Sequence, residues 1–491
     1  MEEKNHTLEC SIHAYAVRIN FNCDNCNQHI HDASEMPTPY LQTEKTTHSS
    51  TINVENDLIN CEHCKQSYGV ELTKSISAAT VEIFDLEDEN NSLRITVFDD
   101  RAPTHCLMHQ KIPIIDVKIS ELTGEILDTY HVYNFKHLPI SVKVNDGVVD
   151  KKDLHEWFSG RRIPASREQI NDVLQHLDIS RTGMLVEKCF GLSLSDHYWI
   201  KPRNSNLDWE KINFFDNDFS EEIGNLLIGE SSAEMIEIDL KSPDNTSDGV
   251  LRKRWKVING KRCLIKAGSD PYKQETYNEV IASRMMELLG IEHTPYWLML
   301  EKDEPYSVCE IFITKDTEHI SAWAIKNTLP KKDKQTSEFN HFLTCCEALG
   351  IPNARTSIEQ MLVIDYLIVN DDRHTNNFGA IRNVHTLKWL GITPIYDNGS
   401  SFWNKKILSD INSRRGLKSK PFLSSHDSQI KLVSSFEWLE LDKLKHIDEE
   451  IRSVFSHSKF ISKERCEKII LGVKQRIDEL TEMIERSHIH E

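Results

Sequence analysis

The chain has 491 residues, too many for one ordinary core, and the usual ratio of about 150 residues per domain suggests about three domains. Its 58 basic and 77 acidic residues give a net charge of −19, which argues against broad, nonspecific coating of nucleic acid. No apolar run reaches the roughly eighteen residues of a membrane helix, the first residues lack a signal-peptide pattern, and twelve cysteines then read as thiols or metal ligands in a cytoplasmic protein with no membrane partner.

Cys23-Asp24-Asn25-Cys26 and Cys61-Glu62-His63-Cys64 form two Cys-x-x-Cys knuckles. Four thiolates on two tight turns close a tetrahedral zinc site, and the flanks Tyr15 to Phe21 and Ser67 to Leu72 alternate as short strands do. Residues 1–77 therefore resemble a zinc ribbon holding Zn2+ through Cys23, Cys26, Cys61 and Cys64, with a polar insertion over 32–56. Redox pairs or unrelated thiols are the alternative; a structural zinc supplies on the order of 10 kcal/mol to so small a fold. Whether the ribbon grips nucleic acid, a protein or only itself stays open at this point.

Residues 78–150 are strand-rich, with Val81 to Phe84 and Leu93 to Phe98 flanking a polar turn, and form a β-rich accessory region without a catalytic constellation. Residues 151–235 are helical in pattern. Ser166 and Gln169 make a capping box ahead of Ile170, Val173, Leu174 and Leu177. Arg161 and Arg162, just before it, either touch phosphate or form a solvated edge. Gly191 to Trp199, rich in aromatic and polar residues, is expected to pack on the carboxy-terminal half of the chain.

Leu251 to Ile258 and Lys261 to Ala267 are strands joined by Asn259-Gly260, the pair suited to a two-residue hairpin. Lys266, near the end of the second strand, can reach nucleotide phosphates if a helix behind it offers a carboxylate. That helix comes next, with Asp270 as cap, Pro271 in the first turn, and Glu279 as the carboxylate. Tyr296 to Leu300 and Ser307 to Ile313 read as a second hairpin around 302–305, whose backbone near Glu310 and Phe312 would bind adenine. A Gly-x-Gly-x-x-Gly loop is absent; only Gly249 stands in the stretch 242–249.

Ser357 to Val369 is an almost wholly apolar helix, as a support beneath a catalytic loop should be. Next stands Asn370-Asp371-Asp372-Arg373-His374-Thr375-Asn376-Asn377, then a hairpin and Tyr396-Asp397-Asn398-Gly399. Kinases place the acceptor-orienting aspartate five positions before a metal-binding asparagine, with a second aspartate for metal beyond; Asp372, Asn377 and Asp397 meet that pattern. Taken singly, each is also what a polar turn uses. Arg414 to Pro421 is a basic loop that either steers an acidic partner or does nothing specific, and Lys463 to Arg486 is a core helix.

Asp-x-His-x-x-Asn after an apolar helix, a short hairpin and then a second Asp resembles the HipA-like serine/threonine kinases, with a weaker likeness to phosphoinositide kinases; Asn278-Glu279 also matches the former. The resemblance covers roughly the last half of the chain. It implies an α+β, bilobed protein-kinase-like fold over 236–491, with lobes 236–313 and 314–491, preceded by the zinc ribbon and the accessory region. It implies ATP and Mg2+, Asp372 as base, Asn377 and Asp397 as magnesium ligands, and His374 as a structural or assisting residue or an alternative base. By the same likeness Ser242, Thr246 and Ser247 are candidate autophosphorylation sites, a protein is the substrate, and an antitoxin or regulatory partner is expected. A kinase of small molecules or lipids, and an inactive kinase fold serving as a zinc-dependent nucleic-acid- or protein-binding regulator, are the alternatives.

Overall fold

The computed structural model describes the strands named below before residue 103 and, from 103 on, all but residues 121, 168–169, 178, 229–240, 247–248, 250, 412–416 and 490–491. The chain forms two compact units, residues 1–104 and 105–491. In the first, Ile12–His13 with Ala16–Val17 (β1, β2) and Ile19–Asn22 with His29–Asp32 (β3, β4) pair antiparallel. Ser50–Ile52 (β5), Leu58–Asn60 (β6), Ser67–Lys74 (β7), Ala78–Asp85 (β8) and Ser92–Phe98 (β9) form one sheet, with β5 and β6 both on β7. The expected hairpin is thus β8 and β9, but β8 also pairs with β7, so the boundary expected at 77/78 falls inside a sheet. Cys23, Cys26, Cys61 and Cys64 lie outside the described residues, as do Gln169 and Ser247.

The second unit opens with His105–His109 (β10), Ile112–Ile119 (β11) and Ile126–Val132 (β12), then the short pair Val144–Asn145 and Val148–Val149 (β13, β14). Tyr198–Pro202 (β15) returns to the first three, giving a sheet of order β12-β11-β10-β15. Lys151–Ser159 (α1) begins at Asp150, whose carboxylate accepts from the amides of Lys152 and Asp153 at 2.9 and 3.1 Å and so satisfies two otherwise orphaned donors. Its Leu154 and Phe158 bury against Leu107, Ile115, Val117 and Ile200 of the sheet. The predicted edge of exposed arginines is not there. Arg161 is buried, with Asp196 oxygens at 2.6 and 3.0 Å and the Gly191 carbonyl at 2.7 Å.

Lys253–Ile258 (β16) and Lys261–Ala267 (β17) pair across Asn259-Gly260, both at positive φ as that turn requires. Tyr296–Glu301 (β18) and Glu304–Glu310 (β19) complete a sheet of order β16-β17-β19-β18, and their turn is the two residues Lys302-Asp303, tighter than the sequence suggests. Gln274–Leu289 (α2) lies behind this sheet. It starts four residues after Asp270, which is therefore not its cap; Lys273, at positive φ, holds that position. Asp270 instead pairs with the Lys273 ammonium at 3.1 Å.

Thr317–Ser321 (β20), Gly379–Asn383 (β21) and Trp389–Ile392 (β22) form a third sheet. Ala354–Ile368 (α3) buries Ile358, Leu362 and Leu367 against a shared core that includes Val280 and Met285 of α2. Ile469, Val473 and Leu480 of Lys463–Ile489 (α4) complete it. The segment 191–199 does pack onto the third sheet: the His319 amide donates to the Ser195 carbonyl at 2.8 Å, and the Tyr198 hydroxyl accepts from Arg382 at 3.2 Å. Beneath it Glu318 is fully buried between Arg382 at 2.7 Å and His109 at 3.2 Å, and His109 in turn meets His137 at 2.8 Å.

Burial alone would raise the Glu318 carboxyl, but the His109 hydrogen bond and the Arg382 charge outweigh it and hold the group at about 2. A carboxylate depressed below its unfolded value of 4.5 adds stability above that pH and loses it as pH falls. In thermal melts, the stability gap between wild type and Glu318→Gln is expected to be full above pH 4.5 and to narrow as pH falls towards about 2.

Candidate active site

At the end of α3 the chain turns sharply at Val369, a β-branched residue at φ 55°. Such a conformation persists only where its surroundings impose it. Here the Phe402 amide donates to the Ile368 carbonyl at 2.7 Å and the Asp371 amide to the Ser400 carbonyl at 3.0 Å. Asn370 bridges the turn: its amide nitrogen donates to Asp365 at 3.1 Å, and its oxygen accepts from the Asp372 amide at 3.1 Å.

Arg373 is the hub. Its guanidinium, fully buried, donates to both Asp365 oxygens at 2.9 and 3.1 Å, to the Asn377 carbonyl at 3.1 Å, to the Asn398 side chain at 2.5 Å, and to the Tyr396 carbonyl. One side chain therefore joins α3, the loop carrying Asp372 and Asn377, and the residues on both sides of Asp397. Within the loop, the Asn377 side-chain nitrogen donates to the Asp372 carbonyl at 3.2 Å.

The second sheet meets the segment of Asp397 through Lys266. Its ammonium lies 2.5 Å from Asp397, 2.8 Å from Glu279 and 3.3 Å from the Tyr296 hydroxyl. The other Glu279 oxygen accepts from the Asn398 amide at 2.8 Å. Burial works against the lysine charge, but Asp397 and Glu279 outweigh it and hold its pKa well above the ordinary value. Burial also opposes ionisation of Asp397, yet the Lys266 charge prevails and keeps it below the usual carboxylate range. Glu279, buried deepest, is pushed upward by burial.

A cleft of about 1100 Å³ is lined by Lys266, Glu279, Glu310, Phe312, Asp372, His374, Asn377 and Asp397, so every residue assigned to nucleotide or catalysis from sequence faces one space. Phe312 lies with its ring 5.3 Å from that of Tyr396. The Glu310 carboxylate pairs with Lys261 at 2.6 Å. The hydroxyls of Ser307 and Thr294, whose residues also line the cleft, are buried without a hydrogen-bond partner. The candidate phosphosites divide. Ser242 is buried with its hydroxyl 3.0 Å from Asp244, whereas Thr246 lines the cleft with its hydroxyl bonded to the Leu192 carbonyl at 2.8 Å.

Sequence reasoning missed Arg373 as the hub, Tyr296 as a partner of Lys266, and Asn278, whose amide donates to the Gly399 and Ser401 carbonyls at 2.8 and 2.7 Å. An arginine inside a polar loop, coming after a helix with one lone aspartate, was the available signal for the first. Arg373→Met leaves Asp365 buried and unpaired, and is expected to lower stability in urea denaturation by about 3–5 kcal/mol. Combining it with Asp365→Leu should lose less than the sum of the two single changes.

A family model described as the HipA-like C-terminal domain matches residues 245–480. The chain is similar to the serine/threonine-protein kinase CtkA of Helicobacter pylori, 26% identical over 157 residues, which cover 29% of this chain and 47% of that protein. It thus spans about half the length of that curated relative. Among solved structures it is similar to the Helicobacter pylori proinflammatory kinase CtkA, with a TM-score of 0.37, 19% identity, and 47% and 90% of the two chains covered. It is also similar to a chain from the complex of HipA, HipB and operator DNA of the Shewanella oneidensis MR-1 toxin–antitoxin system, with a TM-score of 0.42, 14% identity, and 76% and 96% covered. Residues 245–480, which carry all eight of the cleft residues anticipated from sequence, are a HipA-like C-terminal domain.

Proposed function

We propose that this chain is an ATP- and magnesium-dependent kinase of bilobed form that transfers the γ-phosphate to a serine or threonine hydroxyl of a protein. The observation that carries the reading is the convergence of Lys266, Glu279 and Asp397 on one wall of the cleft that Asp372 and Asn377 also face. Phosphoryl transfer needs positioning and charge stabilisation rather than covalent chemistry from the protein, and these are the groups for it.

The fit of each component rests on the donors present. Lys266, kept charged by its two carboxylates, offers an ammonium to phosphate oxygens, and Lys253 and Lys405 add positive charge to the same lining. The Asn377 side-chain oxygen and the Asp397 carboxylate are hard oxygen donors of the kind magnesium takes, alongside phosphate and water. Bound there, magnesium would neutralise phosphate charge. Among the described residues no group of three or more His, Cys, Asp or Glu side chains could hold a metal ion, so a two-residue site completed by the nucleotide is the form proposed. Asp372 orients the acceptor: the hydroxyl oxygen bonds to the γ-phosphorus, the bond to the β–γ bridging oxygen breaks, ADP leaves, and the hydroxyl proton passes to the Asp372 carboxylate. A toxin–antitoxin or other regulatory setting, with an antitoxin-like partner, is proposed from the HipA-like domain. For the first unit, one Zn2+ held by the four cysteines remains the proposal.

With labelled ATP, Asp372→Asn should lower transfer of γ-phosphate to protein by roughly 10²–10⁴-fold while leaving the thermal shift produced by ATP intact. Label appearing in an extracted metabolite and never in protein would instead favour the small-molecule reading, and an equally silent wild type an inactive fold. Metal analysis of the purified full chain should find one zinc, lost in the Cys23→Ser, Cys61→Ser double variant.

A further inference from the structure

Among its described residues, the basic stretch ending at Pro421 touches the cleft-lining Asp372 through Lys420. The Lys420 ammonium lies 2.8 Å from a side-chain oxygen of Asp372, the only ion pair of that aspartate among the described residues. Both side chains are about half exposed, and an exposed pair by itself holds little. What sets this one apart is the anchoring of the backbone beneath it.

Gln429, buried, donates from its side-chain nitrogen to the Lys420 carbonyl at 2.7 Å and accepts from the Phe422 and Leu423 amides at 3.1 Å each. Ser419, also buried, ties its hydroxyl to the Leu423 carbonyl at 2.8 Å. The Phe422 ring stands edge-on to Phe339 and Phe378 at 5.2 and 6.2 Å, and Phe378 is the residue directly after Asn377. The loop bearing Lys420 is therefore fixed to the same core as the loop bearing Asp372. The cation adjoining Asp372 in sequence, Arg373, is wholly committed to Asp365 and its other buried partners.

We propose that Lys420 is a positioning residue of the phosphotransfer site, acting through Asp372. The inference rests on the kinase reading above. The ammonium holds one oxygen of the carboxylate, which leaves the other aimed at the acceptor hydroxyl as the new oxygen–phosphorus bond forms. A basic loop far along the chain thus supplies the cation that the catalytic loop itself lacks.

The test is steady-state ATP turnover by the full chain, read as γ-phosphate release to water and to the chain itself, for wild type, Lys420→Met and Lys420→Arg. Lys420→Met is expected to lower kcat by about tenfold or more with little change in KM for ATP. Lys420→Arg should restore most of the rate. An unchanged or raised kcat in Lys420→Met, or a rise in KM alone, overturns the proposal while leaving the kinase reading standing. A wild type that binds ATP, seen as a thermal shift, but turns none over overturns both. Because Lys420 is half exposed, melting temperatures of the three proteins should agree, and a large fall in Lys420→Met would show a structural role instead.

Discussion

The site depends on one buried charge pair, Arg373 with Asp365. Taking both ions out of water is expensive, and only near-complete hydrogen bonding of the guanidinium makes it tolerable. Its partners come from α3, from the Asn377 carbonyl and from both residues flanking Asp397. The same bonds that satisfy Arg373 therefore set the spacing between the loop of Asp372 and Asn377 and the segment after β22 that carries Asp397. The bond pattern that buries the charge is the geometry that the proposed kinase reading uses to hold a nucleotide's phosphates.

Lys266 makes the complementary link from the other side. Its contacts to Glu279 and Asp397 tie β17 and α2 to the segment after β22. Glu279 does double duty, since its second oxygen caps the Asn398 amide beside Asp397. On the proposed reading the lysine already stands in place for phosphate without needing to be drawn in from solvent, which lowers the reorganisation that binding demands.

What could be read from sequence was short in range or strongly patterned. The five-residue interval from Asp372 to Asn377, the Asn259-Gly260 turn and the apolar run of α3 each carry their physics within a few positions. Lys266 and Glu279 were legible because a strand end and the next helix leave few places for them. The hub escaped because an arginine normally reads as surface, and its main partner, Asp365, is the single charge in the apolar run 361–369, whose burial only the fold reveals. The start of α2 was misjudged for a different reason: Asp270-Pro271 satisfies the local rule for a helix beginning, but the chain first passes through Lys273 at positive φ. At 77/78 one sheet runs on, because β7 and β8 are consecutive strands joined by residues 75–77 that pair along their length, which a change in composition does not announce.

The buried chain of His137, His109, Glu318, Arg382 and Tyr198 gives the accessory sheet a role beyond decoration. Three of its five members precede residue 245, where the matched domain begins, so the unit of descent and the unit of folding have different edges. A fragment trimmed to 245–480 would open Glu318 and Arg382 to water on the face where His109 and Tyr198 now cover them, directly behind the strand that leads away from Asn377. The piece that resemblance marks out is smaller than the piece that can hold its own charges.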